Sequence, residues 1–267
     1  MSPIRHLPVI IALGLLSCAC AQAATLAIYD INDSGFTATT TAFTPSTSSS
    51  GLTAGSATFG SFGGVTQGST SYFRSAANGD GSTANLAFRV LENVGTSPSR
   101  VLTDSQAQAV TANSFVQFTV TPTGGQVLNL SSFSAFVASD ALSASQTFGT
   151  TYFVRSSLDN YTANLGTVTV NTTVGNLTSG TLTADLSGSG FQSISSSFTL
   201  RIYAYANLGA STAAANMVGR VDTLTLQGTV SAAAIPEPSS YTLLLGLAGM
   251  LFAANRMGRP RQACKIG

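Results

Sequence analysis

Carboxylates are the side chains of the central segment, residues 24–235, that come nearest to a catalytic set. This segment contains no His, Cys or Lys. Their absence excludes Ser-His-Asp, Cys-His and Ser-Lys nucleophiles, as well as zinc sites built on His or Cys. A glycoside hydrolase needs only two carboxylates. The segment has nine, at Asp30, Asp33, Asp80, Glu92, Asp104, Asp140, Asp159, Asp185 and Asp222. Because no spacing singles out a pair, we predict a non-enzymatic protein, with a carboxylate-dependent glycoside hydrolase as the alternative.

Tyrosines near arginines form a second group, whose chemistry would be sugar binding through aromatic faces and polar neighbours. In the strand-like run 198–205, Tyr203 and Tyr205 share one face with Arg201, and the apolar residues take the opposite face. The predicted glycan contacts are Tyr152, Arg155, Tyr161, Arg201, Tyr203 and Tyr205. The alternative is that these tyrosines only pack, because Tyr is favoured in strands.

Two Asp- and Asn-rich stretches supply oxygen ligands of the kind that calcium prefers. One runs from Asp30 to Gly35 and includes Asp33, and the other surrounds Asp80. Calcium takes about six to eight oxygens, and neither stretch has the length or the closing Glu of an EF-hand loop. We therefore predict no cofactor. A structural calcium at Asp30, Asp33 or Asp80 is the alternative to plain turn formation.

The segment that must position these side chains is built from short strand patterns. Apolar and polar residues alternate over residues 86–90, 116–120, 167–170, 198–203 and 223–227, and Gly-rich turn signals lie between them. This predicts an all-β domain over residues 24–234, a single antiparallel β-sandwich. Within it, residues 37–71 are rich in Ser, Thr and Gly and are either short strands or surface loops. The central segment has one helix signal, over residues 104–112.

Composition limits the partners. Charged residues make up 8% of the chain, against about 25% in ordinary soluble domains. Residues 24–235 hold six Arg and nine acids, a net charge of −3. No basic patch for nucleic acid is present, so no nucleic-acid partner is predicted. The cysteines, Cys18, Cys20 and Cys264, all lie outside this segment, so it has no disulfide framework.

The first 23 residues have the organisation of a secretory signal peptide. Arg5 precedes an apolar run over residues 7–16, and Ala21 and Ala23 occupy the −3 and −1 positions before Ala24. Signal peptidase is therefore a predicted partner, with cleavage after Ala23. Two alternatives are a buried N-terminal helix and a lipobox ending at Cys18, whose thiol would be lipidated.

The C-terminal segment, residues 235–261, combines prolines, an apolar stretch and a basic end. Its functional residues are predicted to be Pro236, Glu237, Pro238, Arg256, Arg259 and Arg261. The prolines favour an extended hinge, and the stretch 241–254 favours a helix in the membrane. The arginines would stay on the cytoplasmic side. Residues 262–267 form a short tail. An ordinary membrane anchor is the alternative.

This segment resembles the PEP-CTERM sorting signal, which has the same three parts in the same order. The resemblance implies recognition by an exosortase, a membrane cysteine peptidase, in Gram-negative bacteria that make exopolysaccharide. The basic cluster departs from the family pattern because Met257, Gly258 and Pro260 spread it out. The transmembrane sorting helix would hold the chain in the membrane before processing.

The second half of the central segment is similar to the bodies of other PEP-CTERM proteins. The similarity rests on residues 152–161, 198–205 and 220–228. It implies a jelly-roll-like sandwich, similar in outline to carbohydrate-binding modules. We therefore predict an exported, exosortase-sorted, non-enzymatic protein of the cell envelope or extracellular matrix, associated with exopolysaccharide or biofilm. A specific glycan-binding module is the alternative.

Overall fold

The computed structural model of the chain describes residues 23–30, 42–60, 72–75, 85–91, 105–143, 148–173, 176–207 and 216–233. The chain divides into two compact units, residues 1–231 and 232–267. The signal peptide as far as residue 22, the sorting segment 235–261 and the tail 262–267 lie outside the described residues. Among the residues described, no helix has the length and hydropathy needed to cross a membrane.

The strands of the described ranges form two antiparallel sheets of seven strands each. Sheet I contains β1 (Ala24–Tyr29), β3 (Thr47–Ser48), β6 (Tyr72–Ser75), β7 (Asn85–Leu91), β9 (Gln126–Ser143), β12 (Leu177–Asp185) and β14 (Asn216–Ala232). Sheet II contains β2 (Ala42–Phe43), β4 (Leu52–Ala54), β5 (Ala57–Phe59), β8 (Phe115–Pro122), β10 (Phe148–Ser156), β11 (Gly166–Thr172) and β13 (Phe198–Asn207). Helix α1 (Gln106–Thr111) falls where the helix signal predicts it, and 3₁₀ turns cover Ser157–Asp159 and Ser189–Phe191. The all-β prediction is confirmed.

The order of the strands in each sheet differs from their order in the sequence. Sheet I runs β12-β9-β14-β1-β3, with β7 also pairing with β14. Sheet II runs β11-β10-β13-β8-β5-β2, with β4 also pairing with β8. From β8 onward, every pair of consecutive strands except β10 and β11 is split between the sheets. The last strand, β14, lies between β9 and β1, inside sheet I rather than at its edge.

The inner faces of the two sheets share one hydrophobic core. Tyr29 of β1 and Phe133 of β9, both in sheet I, contact Phe118 of β8 in sheet II, with ring centroids 4.8 and 5.8 Å apart. In β13 the predicted alternation is confirmed, since Phe198, Leu200 and Ile202 are buried. The sheets pack face to face as a β-sandwich, as predicted.

The Ser-, Thr- and Gly-rich region forms short strands where it is described. Strands β2 to β5 each have two or three residues. Most of their side chains are small, so each strand brings little apolar surface to the core. Phe43 and Leu52 are the largest buried side chains among them. The ring centroid of Phe43 lies 5.8 Å from that of Phe59, which is partly buried against the core. Residues 37–41 and 61–71 lie outside the described ranges.

Two buried tyrosines give the fold a predictable pH dependence. The hydroxyl of Tyr29 donates to the carbonyl of Gly55 at 2.6 Å. The hydroxyl of Tyr152 donates to the carbonyl of Ala138 and accepts the backbone N–H of Arg220 at 2.9 Å. Burial raises the pKa of both phenols well above the ordinary value of 10.0.

We expect the free energy of unfolding to fall as the pH rises above about 10, because the unfolded chain then loses phenolic protons that the folded chain keeps. For each tyrosine, the free energy of unfolding should fall by at most about 1.4 kcal/mol per pH unit. Urea unfolding between about pH 9 and 11 measures it. Tyr152→Phe should remove its share of the slope, whatever its effect on stability at neutral pH. A slope identical to that of the wild type would contradict the assignment.

Candidate functional site

The outer face of sheet II carries most of the side chains predicted to contact glycan. The register places Arg201 of β13 directly opposite Gln117 of β8 on one side and Arg155 of β10 on the other. The next cross-strand row contains Phe115, Tyr203 and Phe153. Side chains alternate between the faces of a strand. Both rows therefore point away from the core.

Helix α1 covers the aromatic row. Its Ala109 is fully buried and packs with Phe115, Phe153 and Tyr203 in a cluster separate from the main core. Tyr203 stacks on Phe153 with centroids 5.0 Å apart and meets Phe115 edge-on at 5.4 Å. Three adjacent uncovered rings would form a large exposed apolar patch, and the helix removes that patch from water.

Two of the six predicted glycan contacts are buried, and the structure corrects both. Tyr152 points into the core with an exposed fraction of 0%. It lies one residue before Phe153, so it takes the inner face of β10. Tyr203 is on the outer face, as predicted, but it is 1% exposed because it lies within the α1 cluster. Neither ring is available to a sugar.

The other four predicted residues are half-buried on this side of the sheet, namely Arg155, Tyr161, Arg201 and Tyr205. Arg155 donates from Nε to Asn164 Oδ1 and from Nη1 to the carbonyl of Tyr161, both at 2.8 Å. Its guanidinium carbon lies 5.2 Å from the ring centroid of Phe153. Arg155 is thereby held between the sheet and the loop that follows β10.

Arg201 is held by aromatic rings and one amide. Its Nε donates to Gln117 Oε1 at 2.9 Å. Its guanidinium carbon lies 4.3 Å from the ring centroid of Phe115 and 3.9 Å from that of Tyr161. Such cation–π contacts are worth about 0.5–2 kcal/mol each. We call Arg155, Arg201 and Tyr161 the arginine cluster.

Within the arginine cluster, Tyr161 has an unusual backbone conformation. Asn160 and Tyr161 have φ values of 58° and 59°. This left-handed region is tolerated by Asn but is costly for a bulky residue such as Tyr. The loop is fixed by Asp159 Oδ2, which accepts the backbone N–H of Ala163 at 2.8 Å. It is also tied to α1, because Asn164 Nδ2 donates to Gln106 Oε1 at 2.7 Å.

Cross-strand hydroxyl pairs also lie on the outer face of sheet II. Thr119 bonds to Thr199 at 2.8 Å, and Thr151 bonds to Thr169 at the same distance. These cross-strand pairs stabilise the sheet. They also occupy part of the hydrogen-bonding capacity that the Ser/Thr-rich composition would otherwise offer to a ligand.

The described carboxylates have structural partners. Asp140 forms an ion pair with Arg220 at 2.9 Å, and Asp222 accepts the backbone N–H of Thr223 at 2.7 Å. Asp185 accepts the backbone N–H of Ser187 at 2.8 Å, and the hydrogen bonds from Ser187 lower the pKa of this carboxyl. Asp140 and Asp185 lie at opposite ends of the β9–β12 ladder. Sequence reasoning missed this partly buried ion pair, because no local spacing connects Asp140 with Arg220.

One of the three residues predicted as calcium ligands lies among the described residues. Asp30 follows β1 and is half-buried, whereas Asp33 and Asp80 lie outside the described residues. Within the part of the chain that the structure describes, no group of three or more His, Cys, Asp or Glu side chains could hold a metal ion.

The chain has similarity to solved structures, but not to family models or curated proteins. No family model matches the chain, and no curated protein matches it. The chain is similar to a carbohydrate-binding module specific for non-crystalline cellulose, CBM28, with a TM-score of 0.34 and 9% identity, over 68% of this chain and 89% of that one.

In two other similar structures, the matched region is only part of a longer chain. One is an arabinose-bound GH51 α-L-arabinofuranosidase, with a TM-score of 0.33, 13% identity, and coverage of 76% of this chain and 27% of that one. The other comprises the CBM22-1 and GH10 modules of Clostridium thermocellum endo-1,4-β-D-xylanase 10B with xylohexaose, with a TM-score of 0.25, 10% identity, and coverage of 60% and 25%. The chain spans about a quarter of the length of these two. At such TM-scores, none of the three similarities indicates a ligand or an activity for this chain.

Proposed function

We propose that the chain is an exported, non-enzymatic protein of the envelope or extracellular matrix of a Gram-negative bacterium, and that it associates with exopolysaccharide through the outer face of sheet II. The observation that carries the proposal is the arginine cluster. It combines half-buried cations and an aromatic ring on a rigid sheet. Sugar chains can be held there by hydrogen bonds and ring contacts, without any group that would cleave them.

The position of β1 supports export with cleavage after Ala23. Ala24 is the first residue of β1 and pairs with Gly228 of β14. Ala23 is exposed and precedes the strand. Signal peptidase would therefore release a chain whose first strand is intact and can pair with β14 when the sandwich folds.

The sorting proposal rests on Pro236, Glu237, Pro238 and the arginines Arg256, Arg259 and Arg261. The prolines follow shortly after Ala232, where β14 ends. Because proline cannot donate a backbone hydrogen bond, the chain cannot extend β14 through this motif. The motif would stay accessible to an exosortase, while the helix after it holds the chain in the membrane before processing.

We further propose that the sandwich is of the jelly-roll type. The strand order supports this. Strands β12, β9, β14 and β1 are neighbours in sheet I, and β11, β10, β13 and β8 are neighbours in sheet II. Eight strands in two such sets, with connections that cross between the sheets, are the arrangement of a jelly roll.

Cell fractionation of the host tests the whole proposal. The wild-type protein should be found in the matrix fraction, and a strain without exopolysaccharide should release it into the medium. Replacing Pro236, Glu237 and Pro238 with alanine should leave an unprocessed form in the membrane fraction. Equal retention with and without exopolysaccharide would remove the matrix role. Normal processing of the alanine variant would remove the exosortase.

A further inference from the structure

We propose that the arginine cluster binds the carboxylate of an acidic sugar residue, so that the preferred ligand is a polyuronate or another carboxylated polysaccharide. The inference rests on the proposed function, since it names the chemistry of the polymer that sheet II would meet. It concerns Arg155, Arg201 and Tyr161, whose placement is hard to explain by the fold alone.

The first observation is two adjacent cations without an anion. Residues 24–235 contain only six arginines, yet two of them, Arg155 and Arg201, are directly opposite each other on neighbouring strands. Like charges in this position destabilise a sheet. Neither guanidinium forms an ion pair with any carboxylate that the structure describes. A bound anion would relieve the repulsion.

The second observation is unused donor capacity. The bonds described above engage Nε of both arginines and Nη1 of Arg155, whereas Nη1 of Arg201 makes only a long contact of 3.5 Å with the Tyr203 hydroxyl. The Nη2 group of each has no partner among the described residues. Both side chains are half-buried rather than buried, and neither Nη2 atom is among the buried unpaired atoms of the described residues.

The third observation is that the cluster is held in place before any ligand arrives. Arg201 lies over the rings of Phe115 and Tyr161, and Arg155 is bonded to the Tyr161 backbone. Tyr161, whose φ is 59°, makes both of these contacts from the left-handed region. Strained residues often mark ligand sites, because the surrounding structure must maintain them. Fixing the arginines in advance lowers the entropic cost of binding.

The chemistry of the donors favours a carboxylate on a sugar. The planar fork of a guanidinium matches the two oxygens of a carboxylate, and charge-assisted bonds of this kind are about twice as strong as neutral ones. Phosphate fits the same fork, so a lipid headgroup is the competing source of an anion. The half-buried ring of Tyr161 lies against Arg201, and it offers the body of a sugar an aromatic contact that a small headgroup phosphate would not use.

The nearest acid in the sequence does not neutralise the cluster. Asp159 lies on the same loop, but its Oδ2 accepts hydrogen bonds from Thr162 and Ala163 of that loop. It forms no ion pair with Arg155 or Arg201 in the described structure.

The test uses the full chain, purified in detergent, and exopolysaccharide from its own host before and after chemical reduction of the carboxyl groups to hydroxymethyl groups. Carboxyl reduction should weaken binding about tenfold or more, the loss expected for one charge-assisted interaction. Added salt should weaken binding to the native polymer more than binding to the reduced one. Equal binding of the two polymers would overturn the inference while leaving the proposed function intact.

Substitutions of the two arginines test whether the arginine cluster is responsible for the carboxyl-dependent binding. Arg155→Gln and Arg201→Gln should each weaken binding to the native polymer about tenfold and hardly change binding to the reduced one. Arg74→Gln, which removes the same charge from β6 of sheet I, should bind like the wild type. Thermal unfolding and circular dichroism identify any variant that fails to fold, and Arg201→Lys provides a milder change at that site.

Two further outcomes are decisive. Binding to phosphatidylglycerol vesicles that exceeds binding to native exopolysaccharide, and that Arg155→Gln and Arg201→Gln each weaken about tenfold, would replace the sugar carboxylate with a lipid phosphate and overturn the inference. No binding to either form of the polymer would contradict the proposed function itself.

Discussion

Replacing Gly166 with alanine is expected to destabilise the sandwich by about 3 kcal/mol or more, because the new methyl group would overlap the backbone of the other sheet. A Cβ at this position would lie 1.9 Å from the carbonyl oxygen of Thr183 and 2.9 Å from its carbon. Gly166 begins β11 of sheet II, and Thr183 is in β12 of sheet I. Backbone atoms cannot rotate aside as a side chain can, so the two sheets would have to move apart.

Gly188→Ala is the matched control for this substitution. Gly188 is exposed, and a Cβ there would meet nothing within 4 Å. Its stability should therefore change by no more than about 0.5 kcal/mol. Chemical denaturation of both variants measures the difference. Equal midpoints for Gly166→Ala and Gly188→Ala would show that the sheets are not in close contact at Gly166.

Phe118→Ala should cost about 3–5 kcal/mol, the range for removing a buried aromatic ring from a core. Phe118 is 1% exposed and contacts Tyr29 and Phe133 across the interface between the sheets. Its loss leaves a cavity that two rigid sheets cannot easily close. The midpoint of urea unfolding should fall, and the denaturant slope should be unchanged if the variant still unfolds in a single step.

Leu158→Ala serves as the comparison for the core substitution. Leu158 is also a large apolar residue, but it is 39% exposed and lies in a 3₁₀ turn. We expect a loss of no more than about 0.5 kcal/mol. Similar losses for the two variants would mean that Phe118 is not part of a closely packed core.

The sheet architecture could be predicted because the residues of β8 and β13 alternate strongly. Val116, Phe118 and Val120 are buried, and Gln117 and Thr119 between them are not. A period of two along a strand is a local property, which the sequence alone contains. The pairing of β13 with both β8 and β10 is not local. It depends on the register of distant segments, so no pattern in one segment could have indicated it.

Of the two buried tyrosines among the predicted glycan contacts, one could have been excluded from the sequence and the other could not. Tyr152 and Arg155 are three residues apart in β10, so a strand must place them on opposite faces. Applying that rule would have excluded Tyr152 from the glycan contacts. The burial of Tyr203 could not be foreseen in this way. It follows from the packing of α1 on the outer face, and no sequence pattern connects Ala109 with Tyr203.

The pairing of Arg155 with Arg201 also could not be predicted from the sequence. Arg155 and Arg201 are far apart along the chain, and each alone looks like an ordinary polar residue on the outer face of a strand. Only the register of β10 against β13 places them opposite each other. The left-handed backbone of Tyr161 was equally hidden, since Tyr has no preference for positive φ.

The central position of β14 sets an order of events for a chain that is synthesised from its amino end. This strand lies between β9 and β1 and is the last of the described strands along the chain. Until it emerges, β9 and β1 lack a neighbour on that side, and unpaired strand edges readily associate with other chains. Sheet I therefore closes only after nearly the whole sandwich has been synthesised. During that interval the open edges of β9 and β1 are the part of the sheet most exposed to aggregation.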